Sequence, residues 1–230
     1  MTYQSALIVG TGAGLSASLA RAFAKAGMAV ALAARSTGKL AALAQETGAK
    51  TYACDASDRD QVEKLFAALD AAKATPDVVV YNASYRTRGP FIELDAAEVE
   101  KSLRVSAYAG FLVAQAAVKR MLPKGRGAIL FTGASASIKG YAQSAPFAMG
   151  KFALRGLAQS MARELAPRNI HVAHVVIDGG IQSATRPTPP DLPDSLLDPA
   201  AIAQTYLYLL KQPRSAWSWE IEVRPWVERF

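Results

Sequence analysis

The chain has 230 residues and a formal net charge of +7, enough for one domain with a large core or two small ones. An apolar fraction of 51% and a charged fraction of 20% exclude a disordered or fibrous chain. Lys and Arg are scattered, with no run of five or six and no interleaved aromatics, so the charge points to anionic small molecules and away from nucleic acid.

From the N-terminus the chain passes almost directly into Ala6-Leu7-Ile8-Val9, the first predicted strand. No basic segment precedes it and no small-residue cleavage site follows, so a cytoplasmic location is expected. The glycine-rich turn Gly10-Thr11-Gly12-Ala13-Gly14 follows and opens a helical window at Leu15–Ala26. Strand, glycine turn and helix N-terminus together make a phosphate site, because free backbone N–H groups and the helix dipole face the anion.

The second strand, Ala29–Ala33, lies in the longest apolar run, Met28 to Ala34, which is seven residues and far too short to span a bilayer. It ends in Ala34-Arg35-Ser36, with no acid between Met28 and Lys39. A helix over Thr37–Thr47 and a third strand at Thr51–Cys54 come next. Cys54, the sole cysteine, excludes an internal disulfide and suits a reducing compartment; it reads as packing. Asp55 and Ala56 follow that strand, and Asp58 suits the N-cap of a helix at Arg59–Lys73.

Val78–Tyr81 reads as the fourth strand, continuing into Asn82-Ala83-Ser84-Tyr85. A long helix is expected over Glu98–Met121, a fifth strand at Ala128–Thr132 and a helix over Ser144–Ala166 that Pro167 ends. The sixth strand, His171–Ile177, carries His171 and His174 three residues apart. They point to opposite faces and cannot form a metal pair; no other ligand cluster is present, so no metal is expected. A proline-rich irregular stretch from Arg186 to Pro199 precedes a helix at Pro199–Leu210 and a strand at Glu220–Val223.

Short apolar strands alternating with helices imply right-handed crossovers and an α/β doubly wound parallel sheet of about seven strands, in a single domain over residues 1–230.

Taken together, the motifs resemble the short-chain dehydrogenase/reductase family, whose fold is a single Rossmann-like domain. Gly10 and Gly14 match the first two glycines of its Gly-x-x-x-Gly-x-Gly turn, with Ser16 in the third place. Tyr81-Asn82-Ala83-Ser84 is similar to its Asn-Asn-Ala-Gly segment. The resemblance implies a dinucleotide held by Gly10, Gly12, Gly14, Leu15, Arg35, Asp55, Ala56, Asn82, Ala83, Lys151, Gly179, Ile181 and Ser183. Arg35 stands where members that use NADP place a cation against the 2′-phosphate, so NADP(H) is preferred and NAD(H) remains possible; the other reading is a solvated helix-start arginine. Asp55 either contacts adenine or serves as an ordinary cap.

The family's Tyr-x-x-x-Lys becomes Phe147-Ala148-Met149-Gly150-Lys151. A spacing of four puts both side chains on one helical face, about 40° apart around the axis. Ungapped alignment puts Ala134 at the Ser position, with Ser135 next to it, and Ser106 at the position of the relay Asn. The surrogates for the missing acid are Ser135, Tyr141, Tyr85 or a water held by Ser106 and Lys151. Asp178-Gly179 resembles the family's Pro-Gly segment, and a substrate loop is expected at about 181–199.

Two functions follow from the resemblance. One is hydride transfer between NADP(H) and a small carbonyl or alcohol with an atypical proton donor; the other is NADP(H) binding without redox catalysis. The long helices imply a homodimer or homotetramer, in which Ala114, Ala117, Ala153 and Gly156 would either permit close helix approach across subunits or pack on the sheet.

Overall fold

A computed structural model describes residues 3–229. Seven parallel strands form one sheet: β1 (Ser5–Val9), β2 (Ala29–Ala34), β3 (Lys50–Ala53), β4 (Val78–Tyr81), β5 (Gly127–Thr132), β6 (Ile170–Ile177) and β7 (Glu220–Val223). Their spatial order is β3-β2-β1-β4-β5-β6-β7. The chain reverses direction across the sheet between β1 and β4, and the crevice beyond the strand ends there is where this architecture places ligands.

The helices divide between the two faces. Helices α1 (Leu15–Lys25), α2 (Ala41–Thr47) and α7 (Pro199–Lys211) cover one face, where Leu19, Phe23, Leu43 and Leu209 pack on Ile8, Leu32 and Val80. Helices α3 (Arg59–Ala71), α5 (Ala109–Lys124) and α6 (Ala145–Leu165) cover the other, and α4 (Ala96–Leu103) packs on α6. There Phe66, Leu112, Ala114, Ala117 and Leu154 pack on Leu7, Val79 and Phe131. Burial of every residue of β4, β5 and β6 follows from this double cover.

Several boundary signals act as expected. Gly27 (φ 85°) and Gly48 (φ 68°) turn left-handed after the first two helices. Asp58 caps α3, its carboxylate accepting from the backbone N–H groups of Asp60 (2.9 Å) and Gln61 (3.1 Å).

Two expected helices are interrupted. The Thr37–Thr47 window divides into a 3₁₀ turn at Gly38–Leu40 and the short α2. The Glu98–Met121 window begins two residues earlier and carries a π turn at Arg104–Tyr108, where Ala109 N–H reaches back five residues to the Arg104 carbonyl. The Tyr81 hydroxyl donates to the Val105 carbonyl in that turn. The turn packs against α6, since a Cβ on Gly150 would lie 2.8 Å from Ser106 Cβ. These long-range contacts are invisible to a local periodicity.

Candidate active site

A groove runs along the carboxyl ends of the strands. Its first half is a cavity of about 270 Å³ lined by Gly10, Arg35, Asp55, Ala56, Asn82 and Ala83. Gly10 has φ +83°, and a Cβ there would sit 2.4 Å from the Ala83 backbone nitrogen, so only glycine lets the turn touch the end of β4. Ser16 fastens this contact: its hydroxyl donates to the Gly10 carbonyl (3.1 Å) and accepts from Asn82 Nδ2 (2.7 Å).

Gly12 and Gly14 contrast with Gly10, because a Cβ on either would meet nothing within 4 Å. The protein's own packing does not demand glycine there. Gly14 begins α1 with no side-chain cap and no acidic residue in the first turn, which leaves the positive helix end bare. Arg35 is exposed and makes no hydrogen bond or ion pair among the described residues. Asp55 is not the helix cap. Its Oδ1 accepts from the Ser57 N–H (2.9 Å) and hydroxyl (2.7 Å), while Asp58 takes the capping role. Cys54 is buried at the base, with its thiol pushed up to about 11 by burial and the nearby Asp55 and Asp58.

The second half is a cleft of about 520 Å³ that Leu15, Ala134, Ser135, Phe147 and Lys151 line. Lys151 is 3% exposed and donates from Nζ to the Thr132 carbonyl (2.7 Å). Burial, and secondarily the positive Arg86, pushes it down to about 8. Phe147 is 5% exposed, with the Arg86 guanidinium 4.0 Å from its ring centroid on one side and Lys151 Nζ at 5.7 Å. Gly179, Ile181 and Ser183 close the far wall.

That wall is anchored through Asp178, 1% exposed, which pairs with Arg224 (3.0 Å) and Lys139 (3.5 Å). Gly179 has φ +147°, and a Cβ there would meet Pro225 Cδ at 2.7 Å. Behind the cleft, His174 Nδ1 meets Glu220 Oε2 at 2.9 Å, and Arg155 holds the same carboxylate at 2.7 Å. Burial pushes His174 down to about 4, so near neutral pH the pair is a hydrogen bond from a neutral imidazole rather than an ion pair.

The structure separates the expected proton-handling groups. Ser135 lines the cleft, and its hydroxyl has no partner among the described residues. Ser106 does not reach the cleft: it is fully buried in the π turn, with its hydroxyl against the Tyr85 N–H (3.3 Å) and carbonyl (3.4 Å). A water shared by Ser106 and Lys151 therefore has no hydroxyl to hold it from that side. Tyr141 is 46% exposed and outside the cleft lining. The Tyr85 hydroxyl is engaged with Glu98 and Lys101.

Sequence reasoning missed Ser16 as a crosslink and two cations of the cleft wall, Arg86 and Arg186. The cations had a signal, since both stand in loops that follow a strand end, at Tyr85-Arg86-Thr87-Arg88 and at the start of the proline-rich stretch.

A family model described as short chain dehydrogenase matches residues 4–188. The chain belongs to the short-chain dehydrogenase family. A short-chain dehydrogenase from Rhodopseudomonas palustris is 36% identical, with a TM-score of 0.84 over 97% of this chain and 99% of that one. A metagenomic short-chain oxidoreductase solved in complex with NADP is 28% identical, with a TM-score of 0.85 over 96% and 97% of the two chains. Among curated relatives, the cyclic-di-GMP-binding biofilm dispersal mediator protein of Escherichia coli is 32% identical over 85% of this chain and 80% of its own length. The 3-oxoacyl-[acyl-carrier-protein] reductase MabA of Mycobacterium tuberculosis is 28% identical over 78% and 70%. This family member has no group of three or more His, Cys, Asp or Glu that could hold a metal among its described residues. No described helix is long and apolar enough to cross a membrane.

Proposed function

We propose that this chain is an NADP(H)-dependent oxidoreductase acting on a small carbonyl or alcohol, with an atypical site in which Phe147 stands in place of the catalytic tyrosine. The observation that carries this is the glycine turn and the residues around it. Glycines the protein's packing does not require, a bare helix end and an unpaired Arg35 together make a cradle for a phosphorylated dinucleotide. Gly10, Gly12, Gly14 and Leu15 would hold the phosphates, Arg35 the 2′-phosphate, and Asp55, Ala56, Asn82 and Ala83 the adenine side. Lys151, Gly179, Ile181 and Ser183 would hold the nicotinamide end. When bound, the nicotinamide supplies or accepts hydride.

The chain's residues then handle the oxygen and its proton. Ser135 offers a free hydroxyl in the cleft lining and hydrogen-bonds the substrate oxygen. Lys151, at about 8, has the proton affinity a general acid needs near neutral pH and passes its proton across a water. The segment at about 181–199 covers the substrate, and the protein works in the cytoplasm.

A second reading, nucleotide binding without redox turnover, is favoured by Phe147 itself, which has no proton to give. Calorimetric titration with NADPH and NADH tests the cradle; single-turnover assays over a carbonyl panel decide between the readings. Micromolar NADPH affinity with measurable oxidation supports the oxidoreductase. Affinity without oxidation supports the second reading, and no affinity for either nucleotide removes both.

The same reading predicts a homodimer or homotetramer. Tyr108, Phe111, Met149 and Phe152 leave large apolar side chains at least 40% exposed around α5 and α6. Ala114 and Ala117 are buried against the sheet, whereas Ala153 and Gly156 face outward and leave room for a neighbouring helix. Light scattering that finds only monomer would remove this assembly.

A further inference from the structure

The cleft beside Phe147 has cations and no acid. Arg86, Lys151 and Arg186 line it, and no Asp or Glu does. Neither Arg86 nor Arg186 has a carboxylate partner or a guanidinium hydrogen bond among the described residues. Elsewhere Arg21, Arg120, Arg126 and Arg155 each meet an acidic side chain, so carboxylates are within reach of guanidinium groups on other parts of this surface but not in the cleft.

Geometry fixes where the two guanidinium groups stand. Arg86 is stacked on the Phe147 ring at 4.0 Å, which orients its planar fork beside Lys151. Arg186 folds over Gly180, with Nη1 3.0 Å from where a Cβ would be. Like charges held in one concave site repel each other, and burial together with Arg88 and Arg186 pushes Arg86 below its usual value. A ligand anion relieves that repulsion, and a fork of N–H donors matches a carboxylate in two parallel bonds.

We propose that the substrate of this cleft is a carbonyl compound bearing a carboxylate, gripped by Arg86 stacked on Phe147, with Arg186 closing on the same anion from the loop above. Phe147 thus serves as the platform for the anchoring cation. The identity of the reacting carbonyl rests on the oxidoreductase reading, but the anion site does not. Arg35 lines the other half of the groove, and the bare end of α1, which borders the cleft at Leu15, offers backbone donors of its own to the cofactor's phosphates.

The test uses acetoacetate and its neutral isostere acetoacetamide as probes, titrated calorimetrically into protein saturated with NADP⁺, where neither can be reduced. Charge-assisted bonding predicts acetoacetate binding about ten- to hundredfold tighter. Arg86→Gln should bring the ratio to near one, and Arg86→Lys should recover part of it by keeping charge while losing the fork. Equal binding of the two probes to the unaltered protein, or binding of neither, overturns the proposal without reliance on any variant. It also falls if Arg86→Gln weakens NADPH and leaves acetoacetate unchanged, since the cation would then serve the cofactor. Discrimination between the probes in ligand-free protein that fails to bind NADPH would keep the anion site and remove the oxidoreductase reading alone.

Discussion

The two halves of the groove are built by different means. The half at the glycine turn is shaped mainly by backbone, with a positive-φ glycine and a bare helix end that a Ser16–Asn82 side-chain bond fastens. The half over β5, β6 and α6 works through side chains: Lys151, Ser135, Phe147 and Arg86. A backbone cradle changes only when the chain path changes, whereas a side-chain constellation changes one substitution at a time. The two halves can therefore change independently of each other.

The comparison breaks most visibly if the second half is given a hydroxyl-bearing pair. Phe147→Tyr with Ala134→Ser should raise hydride transfer on the order of 10²–10⁴-fold, the usual worth of a positioned acid, read by single-turnover loss of NADPH fluorescence. Lys151 already sits on the same face to lower the new phenol's pKa. A fall in rate would instead mark Phe147 as a working part of the present site.

Two glycines of the first half sharpen the same contrast. Gly10→Ala meets both a positive φ and an Ala83 nitrogen at 2.4 Å, so stability should drop by more than about 3 kcal/mol in urea titration. Gly12→Ala meets nothing within 4 Å, so stability should stay within about 0.5 kcal/mol. Its NADPH affinity should nonetheless fall, because the methyl group enters the space left for the ligand. Equal stability losses at the two positions would refute the division between glycine kept for the fold and glycine kept for the ligand.

Legibility in the sequence follows the same line. Strand runs, the glycine turn and the Asp58 cap are local patterns, and each could be read from a few neighbouring residues. The π turn could not, because its partners Tyr81 and Gly150 come from other elements. Ser106 shows the cost: its position in the chain matched a relay residue, but the turn buries it against Tyr85. Arg86 shows the reverse, since nothing near it in sequence announces Phe147, 61 positions later, as its stacking partner.

Acid should loosen the second half first. His174 is held at about 4 against 6.5 when unfolded, so the unfolded chain binds the proton more readily between those values. Stability is fully present above about 6.5 and falls as the pH drops toward 4, by up to about 3 kcal/mol. Burial raises Glu220, but Arg155 and His174 outweigh it and hold it low, so its contribution is lost at still lower pH and in the same direction. Urea midpoints across pH 7 to 4 should show this slope, and replacing His174 with Asn should flatten it. An unchanged slope in that variant would place the titrating group elsewhere.

The smallest expected effect falls on cofactor choice. Arg35 is exposed, so the charge it offers a 2′-phosphate is partly screened, and its value lies in the fork geometry more than in burial. Arg35→Gln should weaken NADPH binding by about ten- to hundredfold at low salt and leave NADH nearly unchanged. The loss should shrink as salt rises, because an exposed guanidinium–phosphate contact is screened within a Debye length of about 8 Å at physiological ionic strength. If both nucleotides weaken equally, Arg35 contacts a part of the dinucleotide that they share, and its assignment to the 2′-phosphate falls.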